Sequence, residues 1–138
     1  MQIYSITQIL SDAGLAAPDL RVLNPNHENY TALLLQPEGD IEADANGVRN
    51  ADQVLARRQY AAFLSQAASE QTAVVVTPEY SMPWQVIEDS LQAGIAPAEG
   101  ALWVLGCESI TIGNLNAFRD RMAKSIGTSN ALFEQSGE

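Results

Sequence analysis

The sequence AVVVTPEY, at residues 73–80, contains a strand around which the rest of the fold can be predicted. Four of its first five residues are β-branched, which is typical of a short, fully buried strand. Pro78 cannot continue a central strand, so Glu79 and Tyr80 are expected in the connection that follows it.

Two further apolar runs resemble this strand, residues 30–36 (YTALLLQ) and residues 101–105 (ALWVL). Apolar residues recur at helical spacing over residues 50–69 and 81–94, between these runs. A last helix is predicted after the third run, ending at Gly127. Strands that alternate with helices predict an α/β fold in which helices pack on a sheet.

The predicted helices have apolar faces that should point at the sheet. These faces are Ala56, Tyr60, Phe63, Leu64 and Ala67 on the first; Trp84, Ile87 and Leu91 on the second; and Leu115, Phe118, Met122 and Ile126 on the last. Ser81 is the expected N-cap of the second helix, with Pro83 in its first turn. Both tryptophans, Trp84 and Trp103, fit core positions better than a stacking platform.

The remaining segments are predicted to be short or irregular. Residues 3–13 have the spacing of a short helix, and residues 16–29 are rich in Pro and Asn, as connecting loops are. Residues 37–49 are acidic and rich in turn formers, which predicts an exposed loop. Its alternating carboxylates lack the order of a calcium-binding loop.

Composition limits the classes of function. The chain has 138 residues, 46% of them apolar, which is suitable for one folded domain. Its formal net charge is -10, which disfavours nucleic acid or anionic membranes as partners. The single cysteine, Cys107, excludes an internal disulfide, no Cys/His cluster suggests a metal, and no cofactor motif is present. A Ser-His-Asp triad would have to use His27, which lies in the Pro/Asn loop. No apolar run approaches the ~20 residues of a membrane span, and the start lacks a basic leader, so a cytoplasmic protein is expected.

The residues best placed for chemistry follow the second and third strands, where ligands collect in parallel sheets. Glu79 is expected at the margin of an apolar core, where desolvation favours a general acid or base. A structural role as a cap of the following helix is equally compatible with its position. Glu108 follows the third strand beside Cys107, but a glycosidase-like pair of Glu79 and Glu108 has no second supporting motif.

In order and spacing, these segments resemble the first half of the carbon–nitrogen hydrolase (nitrilase/amidase) superfamily. The resemblance spans residues 30–126 and rests on Gln36 after the opening strand, Pro78 and Glu79 with the aromatic Tyr80 after the second, and Gly106, Glu108 and Ser109 after the third. It implies an α-β-β-α sandwich with a Glu-Lys-Cys triad, in which the Glu activates a cysteine that attacks an amide or nitrile carbon. Only the Glu transfers by position, onto Glu79; Tyr80, Cys107 and Glu108 are possible neighbours in the site.

The other two members of that triad have no counterpart in this chain. Lys124 lies on the predicted last helix and is better interpreted as a solvated residue of its exposed face. Cys107 follows the third strand, whose end does not hold the nucleophile in the family, and is better interpreted as a packing residue. We therefore expect a partial nitrilase-like domain over residues 30–127, after an N-terminal helix and loop (1–29) and before a polar tail (128–138). Alone it should be inactive on an amide or nitrile substrate. The alternative is a catalytically silent binding module, and either version predicts a homo-oligomer or a second polypeptide that covers the sheet.

Overall fold

A computed structural model of the protein describes residues 5–12, 14, 19–24 and 29–126, without the side chains of Ile6 and of residues 123–126. His27, the polar tail and the side chain of Lys124 lie outside this description, and the domain boundaries predicted above remain predictions. The elements in chain order are α1 (Ile6–Asp12), a single 3-10 turn (Arg21–Leu23), β1 (Ala32–Leu34), β2 (Ile41–Asp44), β3 (Gly47–Asn50), α2 (Gln53–Ser69), β4 (Val74–Val76), α3 (Trp84–Gln92), β5 (Leu102–Val104) and α4 (Ile112–Ile126).

The predicted α/β class is confirmed by a three-stranded parallel sheet in the order β1-β4-β5. Val75, at the centre of the middle strand, is paired with Leu33 on one side and Trp103 on the other. The chain enters the sheet at β1, continues to β4 beside it and then to β5 beside β4. When successive right-handed crossover connections move along a sheet in the same direction, the helices of these connections lie on the same face of the sheet. Accordingly, α2 and α3 share one face of the sheet.

The hydrophobic core lies between that face and the two helices. It contains Val75, Met82 and Val86 together with the predicted apolar face of α2, namely Ala56, Tyr60, Phe63, Leu64 and Ala67. Val75 and Tyr60 are completely buried. Trp103 packs against this cluster and is half-buried, as its predicted core position requires. On α4, the predicted positions Phe118 and Met122 are buried.

The opposite face of the sheet is apolar and partly open to solvent. Residues alternate between the faces of a strand, so the neighbours of Val75 and its partners point away from the helices. On this side Leu34 is 72% exposed and Val104 is 50% exposed. Parallel sheets usually have both faces covered, so this face is unusual for its class.

Residues 37–49 were expected to form a loop, and this is wrong: they contain most of a β-hairpin. Strands β2 and β3 pair antiparallel from Ile41 opposite Asn50 to Asp44 opposite Gly47. The Asn46-Gly47 pair is a strong hairpin signal, and Gly47 adopts a φ of 133° that favours glycine. The acidic side chains are nevertheless exposed, as predicted.

The start of α3 also differs from expectation. Ser81 is not its N-cap; Pro83 occupies that position and provides no side-chain hydrogen bond. The Ser81 hydroxyl instead donates to the carbonyl of Pro78 at 2.6 Å, which closes the turn after β4. Helix α2 has the stronger start, since the Asp52 carboxylate accepts from two backbone N–H groups of its first turn.

None of the helices in the described ranges is both long enough and apolar enough to cross a membrane.

Candidate functional site

The segments that follow β4 and β5 meet at the carboxyl edge of the sheet. The Gly106 carbonyl accepts hydrogen bonds from the backbone N–H groups of Ser81, at 3.0 Å, and Met82, at 2.9 Å. Gly106 in turn donates its N–H to the hydroxyl of Thr77 at 2.9 Å. A Cβ at position 106 would overlap the carbonyl of Pro78, so only glycine allows the two chain segments to approach this closely. The predicted juxtaposition of these two strand ends is therefore present.

Glu79 and Tyr80 form the tip of this turn. Glu79 is exposed, which corrects the expectation that the adjoining core desolvates its carboxylate. It is not a cap of α3 either, because that helix begins at Trp84 without a side-chain cap. Tyr80 adopts a φ of 56°, a left-handed conformation that is uncommon for an aromatic residue, and its side chain is 50% exposed. The two side chains thus project from a strained but well-anchored turn.

Glu108 has a different role from Glu79. Its Oε1 atom accepts three hydrogen bonds, from the Asn50 backbone N–H (2.7 Å), the Asn50 side-chain amide (2.6 Å) and the Gln53 side-chain amide (2.6 Å). The Asn50 amide also donates to the carbonyl of Ser81. The Glu108 carboxylate therefore ties the hairpin and the start of α2 to the segment after β5, and the Asn50 amide ties the hairpin to the turn after β4.

Cys107 lies between these two regions and is half-buried. Its Sγ donates to the Leu105 carbonyl at 3.3 Å, and its backbone forms an isolated parallel bridge with Met82. Burial, with a smaller contribution from the negative charge of Glu108, raises the pKa of the thiol to about 11. A thiol in this environment is protonated at neutral pH and is a poor nucleophile.

The hydroxyl of Tyr60 is a further polar group beneath the site. The residue is completely buried, and its oxygen has no hydrogen-bond partner within the described structure. Burial raises the pKa of this phenol; the nearby Ser81 opposes the shift, and the Glu108 carboxylate adds to it. Buried hydroxyls are seldom left unsatisfied, and the Ser81 side chain is the group placed to interact with this one, although the two do not meet the standard geometry of a hydrogen bond.

Two of the residues that organise the site, Asn50 and Gln53, were not anticipated from the sequence, and neither was the buried hydroxyl of Tyr60 beneath it. Asn50 was expected at the start of a helix, but it ends β3 and is 8% exposed. Its role depends on the hairpin, and the Asn46-Gly47 sequence at the end of the Ala45-Asn46 turn was the one signal that could have revealed it. Tyr60 was correctly predicted to lie in the core, but the helical spacing of apolar residues on which that prediction rests carries no information about its hydroxyl.

Within the described residues, no group of three or more His, Cys, Asp or Glu side chains is arranged to hold a metal ion. No protein-family model matches the sequence, and no curated protein or solved structure shows significant similarity to it. The resemblance to carbon–nitrogen hydrolases therefore rests on the sequence motifs quoted above.

Proposed function

We propose that this chain supplies the general base, Glu79, of a carbon–nitrogen hydrolase that acts on amides or nitriles. The observation that supports the proposal is the position of Glu79: it is exposed at the carboxyl edge of a parallel sheet, on a turn fixed by backbone contacts to Gly106. Active sites in parallel α/β folds form at this edge.

Glu79 has the availability that a general base needs. Its carboxylate makes no hydrogen bond or ion pair within the described structure, whereas the Glu108 carboxylate accepts three hydrogen bonds. Of the two glutamates at this edge, only Glu79 is free to take a proton without disrupting the fold. A fixed backbone also favours catalysis, since a base must be held in reach of the proton that it removes.

The nucleophile has to come from outside these 138 residues. Cys107 is protonated and hydrogen-bonded to its own strand end, and the family resemblance places neither the Lys nor the Cys of the triad in this chain. In the proposed reaction Glu79 accepts the thiol proton of that external cysteine. The resulting thiolate attacks the substrate carbon. With an amide, the tetrahedral adduct takes the proton from Glu79 on its nitrogen and expels ammonia, which leaves a thioester; with a nitrile, the thioimidate first adds a water molecule and then expels ammonia to give the same thioester. A further water molecule hydrolyses the thioester to the carboxylic acid and frees the cysteine.

The polypeptide segment that supplies the nucleophile would also cover the open face of the sheet. With a second sheet and its helices in that position, the assembly would have the α-β-β-α arrangement that the family resemblance implies. Burying the apolar side chains of Leu34 and Val104 would stabilise such an assembly, by about 25 cal/mol for each Å² removed from water. It would also exclude water around Glu79, and general bases work best when partly desolvated.

A direct test compares ammonia release from a panel of amides and nitriles by the 138-residue chain alone and by the chain isolated with its bound polypeptides. The proposal predicts turnover only in the second preparation. Turnover of similar rate by the chain alone would contradict it.

The same open face supports the second candidate function, a catalytically silent module that binds another protein through its sheet. This version predicts a stable complex in light scattering and no turnover in either preparation. A stable monomer in solution would argue against it.

A further inference from the structure

A polar cleft lies between α3 and α4, and neither Glu79 nor Tyr80 lines it. Its volume is about 390 Å³, at the lower end of the range for small-molecule sites. The tip of the β2–β3 hairpin contributes Asn46 to the lining of the cleft, and α4 contributes Arg121. The space suits one small ring rather than an extended chain.

The charges in the cleft neutralise each other. Glu88 and Arg121 are the charged residues among the described residues that line it. They form a two-pronged ion pair, with Nε to Oε1 at 2.7 Å and Nη2 to Oε2 at 2.8 Å, and the Glu88 side chain is only 10% exposed. This pair lowers the pKa of Glu88, so the carboxylate stays charged and matched to the guanidinium. A cleft with balanced charge favours a neutral ligand over an ion.

The remaining polar walls offer neutral donors and acceptors. The Asn114 carboxamide makes no hydrogen bond within the described chain, and Gln85 uses only its Nε2 group. The hydroxyls of Ser109 and Thr111 each accept one backbone hydrogen bond, which leaves a proton that each can donate. Several separate hydroxyl groups on a ligand would match this pattern better than a single polar group would.

An aromatic pair forms the apolar part of the wall. The rings of Trp84 and Phe118 pack edge to face, with centroids 5.1 Å apart. The Trp84 indole N–H donates to the Glu108 carbonyl at 2.7 Å, so the ring is held in place and offers only apolar atoms to the cleft. Fixed aromatic surface beside neutral hydrogen-bonding groups suits a molecule with hydroxyls at its rim and C–H groups on its faces.

We propose that this cleft binds a single neutral polyhydroxylated ring of pyranose size. The inference is independent of the hydrolase proposal, since it uses none of the residues assigned to that reaction.

The test is a titration of the full ¹⁵N-labelled chain with methyl β-glucopyranoside, methyl β-galactopyranoside and methyl α-mannopyranoside, followed by amide and indole NMR shifts. Glucuronate and glucosamine serve as charged counterparts. At least one neutral glycoside should shift the Trp84 indole and the amides around Asn114 with millimolar affinity. Asn114→Ala should weaken that binding about five-fold, which is the loss of one neutral hydrogen bond. Asn116→Ala, on the same helix but outside the cleft, should leave it unchanged.

Three results would overturn the proposal: no glycoside shifts the cleft resonances, both asparagine variants bind equally, or a charged sugar binds more tightly than its neutral counterpart. Because both asparagines are exposed on α4, and alanine is a better helix former, both variants should remain folded.

Discussion

Gly106 lies against the turn that presents Glu79: a Cβ at position 106 would be 2.7 Å from the Glu79 Cα and closer still to the Pro78 carbonyl. The atoms that it would meet belong to the backbone, so they cannot move aside as a flexible side chain could. This contact, together with the two hydrogen bonds to the Gly106 carbonyl, makes the end of β5 a template for the turn after β4.

Gly106→Ala should therefore destabilise the protein by about 1–3 kcal/mol, the usual cost of overpacking. Urea denaturation measures the change. Gly113→Ala is the matched control, because no atom lies within 4 Å of a Cβ there, and alanine should be neutral or stabilising by up to about 1 kcal/mol in α4. Equal effects of the two substitutions would show that Gly106 is not a close contact.

The two glutamates at this edge should respond differently to the same substitution. Glu108→Gln weakens an acceptor of three hydrogen bonds and should cost about 1–3 kcal/mol of stability. Glu79→Gln removes no hydrogen bond in the described structure and should change stability by less than about 0.5 kcal/mol. A larger loss for Glu79→Gln than for Glu108→Gln would reverse the roles assigned to them.

Tyr60→Phe removes the one buried hydroxyl without a hydrogen-bond partner in the described structure. It should leave thermal stability unchanged or raise it, since an unsatisfied buried polar group is a cost to the folded state. Tyr60→Leu, which also removes ring volume from the core, should be destabilising. A loss of more than about 1 kcal/mol for Tyr60→Phe would mean that a bound water or another group satisfies the hydroxyl.

The Cys107 thiol should react slowly with iodoacetamide at neutral pH. Burial holds its pKa at about 11, so the rate should rise as pH approaches that value. The measurement is the alkylation rate as a function of pH, with a small unstructured thiol peptide as reference. A rate that reaches its plateau below pH 8 would identify a reactive thiolate and reopen Cys107 as a nucleophile.

In the hairpin, the hydrogen bond from Arg49 to Asp44 lowers the pKa of that carboxyl to about 2. The pKa of Asp44 in the folded protein is lower than the ordinary pKa of an aspartate, which is about 4. The pair therefore stabilises the folded state at pH values above about 4, and this stabilisation is lost as the pH falls through about 2. Arg49→Gln should raise the Asp44 midpoint, as seen by carboxyl NMR, whereas Arg57→Gln on α2 should not. Identical midpoints in both variants would show that the pair does not form in solution.

The sequence was sufficient to predict the strands and the part of the core that α2 supplies, because both depend on local hydrophobic patterns. On α3 the prediction was wrong: Val86 is the core residue, whereas the predicted Trp84, Ile87 and Leu91 are only half-buried. The run AVVVT is almost entirely β-branched and predicts a buried strand. The spacing of Tyr60, Phe63 and Leu64 predicts that they lie on the same face of a helix, and all three are buried. Adjacent strand ends then follow from the topology, which is why the meeting of Pro78 and Gly106 could be anticipated.

The polar network could not be predicted, because it depends on contacts between distant parts of the chain. Glu108 and Asn50 are 58 residues apart, and their hydrogen bonds exist only because the hairpin folds against the end of β5. The local acidic composition of residues 37–49 suggested a loop, although the Asn46-Gly47 sequence within it is typical of a hairpin. The exposure of Glu79 was likewise missed, since a residue next to an apolar strand is not buried when its turn points outward.

The most direct test of the central claim is ammonia release from amides and nitriles by the chain in its native assembly, compared for wild type, Glu79→Gln and Cys107→Ala. The stability of Glu79→Gln, measured separately, controls for unfolding. Glu79→Gln should lower the rate by about 100-fold or more, the usual contribution of a general base, while Cys107→Ala should stay within about two-fold of wild type. Full activity of Glu79→Gln, loss of activity in Cys107→Ala, or no turnover by the wild-type assembly on any substrate would contradict it.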